Sequence, residues 1–401
     1  MTYVAGTGKP GAGVDLFLAR YAALRERLPG DRAARDAAAD AFSVAGLPGP
    51  RLEAWKYTNL RGLAEIADAT GTSPAEPSDL PDGARLVFVD GAFRADLSAA
   101  SQTFAQAPLF PAAHGEPIAL LNTMLASDGA VLDIAGDAGT LNLLSIGNAS
   151  AHLRHRIRMA PGARLVLIER SRFAAGLHDT LFDIEVAAGA HLTHVRLIQD
   201  GDEAFHLATV YAEVEGEGTY DAFVLTAGAK LARTEIHTRL GGPRAMAHLN
   251  GAQLLSGTRV GDVTTVVRHD APNCASRQTV KTVATDRARG VFQGRIEVAR
   301  PAQKTDGYQM SQALLLSPEA EVDFKPQLEI YADDVKCSHG ATVGQLDENQ
   351  LFYLRSRGVP EPEARGMLVR AFMTEALDGV QDEGARAVLQ DVVEAWWAKA
   401  A

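Results

Sequence analysis

The residues with the most chemical promise are Cys337 and His339, two positions apart in Val335-Lys336-Cys337-Ser338-His339-Gly340. A thiolate and an imidazole at i and i+2 face the same side of an extended strand. Cys and His are also the side chains best suited to iron in sulfide clusters. Two ligands are too few, since a stable cluster site uses about four. Either another chain completes the site, or the pair is structural. The neighbouring Asp333-Asp334 would point to opposite faces of a strand, so the favoured reading there is a turn with solvated acids.

Other chemistries find little support. Gly6-Thr7-Gly8-Lys9 superficially suggests a phosphate loop, but Tyr3 and Pro10 stand where the motif needs Gly and Ser or Thr. No Gly-x-Gly-x-x-Gly follows a strand, and no Gly-x-Ser-x-Gly elbow or His-Glu-x-x-His helix is present. The chain is therefore expected to bind no nucleotide and to hydrolyse no ATP itself. The eleven histidines are scattered. Of these, His152, His155, His191, His194 and His206 read as surface or strand-face residues.

The 401 residues carry a net charge of −11, with 46% hydrophobic and 22% charged residues. This suits a folded soluble protein and argues against nucleic acid or an anionic membrane as partner, since both need clustered Lys and Arg. No apolar run approaches the about 20 residues that span a bilayer. The first residues lack a signal peptide's basic and apolar regions, and there are only two cysteines, Cys274 and Cys337. The expected compartment is the cytoplasm, with reduced thiols.

Three zones position the candidate residues. Residues 1–80 read as a helical region and linker. Apolar residues at helical spacing predict a helix from Val14 to Leu28, and Asp31 caps a second to about Ala45, ended by Gly46 and Pro48-Gly49-Pro50. Thr72 to Pro81 reads as linker. Residues 81–345 are strand-rich, with short alternating runs at Leu86–Val89, Arg164–Ile168, His191–Ile198, Thr219–Leu225 and Glu235–Leu240. No long helical pattern intervenes. Residues 346–401 are helical again. Asp347 and Gln350 resemble a capping box. Helices follow over Glu361–Leu377 and Asp382–Lys399, where Trp396 and Trp397 either pack on the preceding helix or form a docking surface.

A degenerate repeat runs through the strand zone. Pro161-Gly162-Ala163-Arg164-Leu165 resembles Ala188-Gly189-Ala190-His191-Leu192, 27 residues on. Further turn-then-strand starts at Gly218, Pro243, Gly290 and Pro318 give steps of 29, 25, 47 and 28 residues from Gly189, the 47 fitting two coils. Such a period suggests a parallel β-helix, but evenly spaced strands of a sandwich or barrel fit equally.

A family resemblance bears on this choice. Leu328 to Gly344, with Asp333-Asp334-Val335-Lys336-Cys337-Ser338-His339-Gly340 at its centre, closely resembles the signature of the SufB/SufD family, as does Leu351-Phe352-Tyr353-Leu354-Arg355-Ser356-Arg357-Gly358. Ser276-Arg277-Gln278 to Lys281, Phe292-Gln293-Gly294-Arg295-Ile296, Gln303-Lys304-Thr305 and Leu314-Leu315-Leu316-Ser317 match too. Glu53-Ala54-Trp55-Lys56-Tyr57-Thr58 is similar to the family's entry motif. The match is dense over about 269–375 and loose between 80 and 260, and this short, Cys-poor chain is SufD-like more than SufB-like.

The resemblance implies a mainly β fold: a right-handed parallel β-helix core flanked by N-terminal and C-terminal helical domains. It implies a non-catalytic subunit that pairs with SufB through the β-helices and docks the SufC ATPase through residues 346–401. A nascent iron–sulfur cluster, transient and shared with SufB, forms at their interface. The family's interface histidine falls on His339 and its adjacent cysteine on Cys337, as auxiliary ligand or buried small residue. A homodimer is open to the isolated chain. Deleting residues after Gly344 is expected to abolish SufC binding while the β-helix still folds. The rivals are a secreted-type β-helix polysaccharide lyase or hydrolase, and a structural partner of SufB that binds no metal.

Overall fold

A computed structural model describes residues 12–60, 62–63, 80–99, 104–106 and 115–400; the expected linker lies largely outside them. The N-terminal helices are α1 (Ala12–Leu24) and α2 (Arg32–Ala45). Asp31 caps α2 by accepting from the Ala33 amide at 2.8 Å, and Gly46 ends it at φ +71°. A 3₁₀ turn at Glu53–Trp55 follows.

The strands are β1 (Arg85–Val89), β2 (Ala92–Phe93), β3 (Phe104–Gln106), β4 (Ala130–Ile134), β5 (Asp137–Gly147), β6 (Ala151–Met159), β7 (Arg164–Phe173), β8 (Ala175–Val186), β9 (His191–Ile198), β10 (Glu203–Val214), β11 (Thr219–Thr226), β12 (Leu231–Leu240), β13 (Met246–Leu255), β14 (Val260–His269), β15 (Ala275–Ala284), β16 (Arg289–Val298), β17 (Asp306–Leu315), β18 (Glu321–Ile330) and β19 (Lys336–Gly344). From β5 onward odd strands stack into one sheet and even strands into the other. Each strand pairs in parallel with the strand two ahead, so Met246, Ala275, Asp306 and Lys336 lie in one column. This decides for a parallel β-solenoid and against a sandwich.

One corner of the coil is a ladder of left-handed residues: Gly162, Gly189, Glu217, Arg244, Asn273 and Lys304, with φ between +60° and +72°. Each donates its N–H to a carbonyl of the next coil, of Ala188, Gly216, Pro243, Pro272, Gln303 and Asp334 respectively. That bond supports a conformation that L-residues disfavour. It also corrects the reading of the repeat. One coil on from Pro243 is Pro272, whereas Gly290 lies inside β16 of the other sheet. The step of 47 changes sheets and is not two coils.

Helix α3 (Pro117–Leu125) sits inside the strand-rich zone. Every residue in it is buried, so no polar stripe advertised a helix. Its sequence signal was Pro117 at the first helical position.

The outer faces of both sheets are covered. Phe17, Phe42 and Trp55 of the N-terminal region and Leu121 of α3 pack on Leu177, Phe205 and Leu231 of the even-strand sheet. On the odd-strand sheet, α5 (Glu361–Leu377) and α6 (Glu383–Ala400), preceded by α4 (Glu348–Ser356), bury Val195, Phe223, Leu225, Leu254 and Val283. Trp396 is buried in that layer, and a Cβ on Gly366 would strike the Trp397 indole. The tryptophans thus pack on the preceding helix. The helices within 346–400 cover core surface, so removing them would expose a large apolar face. Point substitutions therefore test docking more cleanly than deletion. No described helix is long and apolar enough to cross a membrane.

Candidate functional site

The lumen of the solenoid ends at β18 and β19, which have no further neighbour in their sheets. Inward positions follow the pleat. In β17 they are Gly307, Gln309, Ser311 and Ala313, all buried. Their partners in β19 are Cys337, His339, Ala341 and Val343. A Cβ built on Gly307 would lie 3.3 Å from the Cys337 sulfur, while one on Gly340 would meet the outward Met310. Cys337 and His339 therefore face the lumen together, as the i, i+2 spacing required. Asp333 and Asp334 form a bend before β19.

The backbone at this end is equally specific. The Lys336 N–H donates to the Thr305 carbonyl at 2.8 Å. In a parallel ladder alternate residues turn both peptide groups to the same neighbour. Lys336, Ser338, Gly340 and Thr342 thus face β17, and Cys337, His339, Ala341 and Val343 offer N–H and C=O at the open edge. In β18, the Glu321 and Tyr331 amides bond back to β16's coil, which leaves Val322, Phe324, Pro326 and Leu328 at the edge. Pro326 has no N–H to offer. Apolar side chains at this end are also uncovered: Tyr331 is 64% and Val343 53% exposed.

Cys337 and His339 differ. His339 is exposed. Cys337 is half-buried against the cluster of Ile296, Val298, Ala302 and Ala332, and burial pushes its thiol pKa up. A ready thiolate ligand needs the opposite shift. Neither cysteine is in a disulfide.

The five histidines expected on the surface or a strand face all lie in strands, but most of them are not at the surface. Only His191 of them is partly exposed; His152, His155, His194 and His206 are buried. His194 and Arg196 hold Glu169 in the lumen, the Arg196 amino group at 2.9 Å. Burial opposes ionisation of Glu169, but Arg196 and His194 outweigh it and hold the carboxyl far below its ordinary range.

Deeper still, His178, Asp200 and His206 converge closely enough to suggest a metal site. The group is already a closed hydrogen-bonded ring. Ser171 Oγ contacts His178 Nδ1 at 2.8 Å and Asp200 at 2.6 Å, and His206 Nδ1 meets Asp200 at 2.9 Å. A metal-bound imidazole donates its other N–H to an acceptor, yet Nε2 of both histidines lacks a partner among the described residues. All three residues are sealed from solvent. The arrangement is that of a structural polar core.

Residues 143–372 match the family described as SUF system FeS cluster assembly, SufBD core domain. The chain belongs to the SufBD family. It is 36% identical to the iron-sulfur cluster assembly protein SufD of Escherichia coli, over 84% of this chain and 86% of that protein. It is 28% identical to an iron-sulfur cluster assembly SufBD family protein of Synechocystis, over 86% of each. A SufBD family protein of Mycobacterium leprae is 26% identical, over 85% of this chain and 87% of its own.

The SufBD motifs now have physical roles. Ser276, Gln278, Phe292, Gly294 and Ile296 line the lumen in the coils beneath His339. Lys281 faces outward, buried under α5 where it pairs with Glu375 and lies 4.4 Å from the Phe372 ring centre. Trp55 stacks on the buried Arg233 guanidinium at 4.0 Å, which donates to the Ala54 carbonyl at 2.9 Å, while Thr58 bonds Asp262. The entry motif thus straps the N-terminal layer to the solenoid. Gln309 was missed. Its only signal was the coil spacing that places Gln278, Gln309 and His339 in one column.

Proposed function

We propose that this SufBD-family chain is the SufD-type, non-catalytic subunit of an iron–sulfur cluster assembly scaffold. The observation that carries the reading is the uncapped solenoid end, where a Cys-x-His pair faces the lumen between two unpaired strand edges. Exposed edges of this kind are managed by covering or pairing them. A SufB chain that presents matching edges would extend both sheets and close the lumen. In an isolated chain the same edges favour a homodimer.

The nascent cluster is cargo held transiently between the two chains. His339 supplies a nitrogen ligand opposite a thiolate from SufB. The imidazole must be neutral to bind, so acid weakens the contact. Cys337 serves mainly as a small buried residue beside the site, in keeping with its raised thiol pKa. ATP hydrolysis resides in SufC, which docks on the C-terminal helices. Phe352 and Tyr353 of α4, at 74% and 57% exposure, suit that contact.

The test is His339→Ala, copurified with SufB and SufC and reconstituted anaerobically with iron and sulfide. The complex should form, and the cluster absorbance should be lost. Normal cluster assembly by this variant would exclude the ligand role and leave a structural partner that binds no metal.

A further inference from the structure

We propose that Gln309 positions His339 by accepting a hydrogen bond from its ring N–H, which fixes the nitrogen presented to the partner chain. The functional consequence rests on the ligand role of His339 proposed above; the hydrogen bond does not. Gln278, Gln309 and His339 are successive rungs of one in-register lumenal column. Neighbouring strands in such a column lie about 4.8 Å apart, so successive side chains stack within reach, as in a glutamine ladder.

The rungs below His339 leave two buried amide atoms over among the described residues, the Gln278 Nε2 donor and, one rung nearer His339, the Gln309 Oε1 acceptor. The Thr265 hydroxyl donates to Gln278 Oε1 at 2.5 Å, and Gln309 Nε2 approaches the same oxygen at 3.5 Å. Across the lumen the Gln309 amide nitrogen lies against Gly294, where a Cβ would come within 2.9 Å of it. Gln309 is 1% exposed, and its Oε1 has no partner among the described residues. A buried acceptor left so is costly. The next rung of the column is His339, a side chain with one N–H to give.

A neutral imidazole carries one N–H and one lone pair. Donation inward to Gln309 leaves the lone-pair nitrogen facing the open end of the lumen, where SufB would bring its ligand. Outer partners of this kind fix both tautomer and ring orientation of a ligating histidine.

The experiment uses the full chain with ¹⁵N-labelled histidine rings, His339 being assigned by the signals lost in His339→Asn. In the unsubstituted chain the two His339 nitrogens should show one fixed tautomer and a slowly exchanging ring N–H. Gln309→Met, close in size and without an acceptor oxygen, should give averaged signals at an unchanged unfolding midpoint. Gln309→Glu, which keeps acceptor oxygens, should restore the fixed tautomer. If Gln309→Met folds poorly, Gln309→Asn, too short to reach, should average the signals in its place. Unaltered His339 signals in the folded Met or Asn variant would overturn the proposal. In the reconstituted complex, Gln309→Met should weaken iron retention about 10- to 100-fold. Should His339→Ala assemble clusters normally while the Met variant still frees the tautomer, the ligand role fails and the hydrogen bond stands.

Discussion

If SufB extends the odd-strand sheet, Ala341→Pro should break the complex and spare the chain. Ala341 turns its N–H to the open edge of β19, because the register places Gly340 and Thr342 against β17. Proline there removes no hydrogen bond within the solenoid. At an edge with the missing N–H facing outward it is tolerated, and the extended conformation it imposes on Gly340 is the one a strand already has. In the complex the same change deletes one interchain bond, worth about 0.5–1.5 kcal/mol, and strands a partner carbonyl at a cost of about 1–3 kcal/mol. The sum, about 1.5–4.5 kcal/mol, lowers affinity about 10- to 2,000-fold. Calorimetric titration of the variant with SufB gives the affinity, and circular dichroism with urea unfolding reports the fold. Gly340→Pro is the internal control: it removes a bond to β17 and should destabilise the chain itself. Native affinity for Ala341→Pro, with a native fold, would refute edge pairing along β19.

Three further outcomes follow from the same geometry. Gly294→Ala places a methyl 2.9 Å from both Gln309 Nε2 and Phe292 Cζ, so urea unfolding should show a loss of about 1–3 kcal/mol from overpacking. Replacing Phe352 and Tyr353 together with Ser should abolish SufC copurification while stability moves by no more than about 0.5 kcal/mol, as for exposed positions generally. Burial pushes His155 and His269 down to about 4. Between there and the ordinary value near 6.5 the unfolded chain binds protons that the folded chain refuses, so stability is lost as pH falls through that window. Each group contributes about 1.4 kcal/mol per pH unit, and urea midpoints from pH 7 to pH 4.5 should fall accordingly; a flat profile would contradict neutral burial.

Sequence made some of this legible and concealed the rest for physical reasons. The shared facing of Cys337 and His339 follows from the period of a strand, and Asp31 and Gly46 bracket α2 by their own chemistry. The choice between solenoid and sandwich was hidden because the corner uses Glu217, Arg244, Asn273 and Lys304 in left-handed geometry. Glu217, Arg244 and Lys304 do not advertise a left-handed position as glycine or asparagine does, and the stabilising bond comes from the next coil. The burial of the lumenal histidines was hidden because a polar side chain in a strand ordinarily marks the wet face. Here both faces are covered, and their partners lie about one coil away: Glu169 and His194 are separated by 25 residues, His178 and His206 by 28.

An in-register solenoid would also let half of the proposed site sit at its end without being loose. Lumenal positions stack coil upon coil, so the proposed bond from His339 to Gln309 would fix the ring before any partner arrives, Gln309 itself resting against Gln278 and that residue against Thr265. Gly294 matters for the same reason, since it leaves room on the opposite wall for Gln309 to extend. A ligand on a free loop would have to be ordered at the moment of assembly, at a cost in conformational entropy of about 1–2 kcal/mol per residue. A ligand on the last rung of a rigid column is ordered in advance. His339 stays reachable because no further coil covers it among the described residues, which leaves that place open to the proposed partner chain.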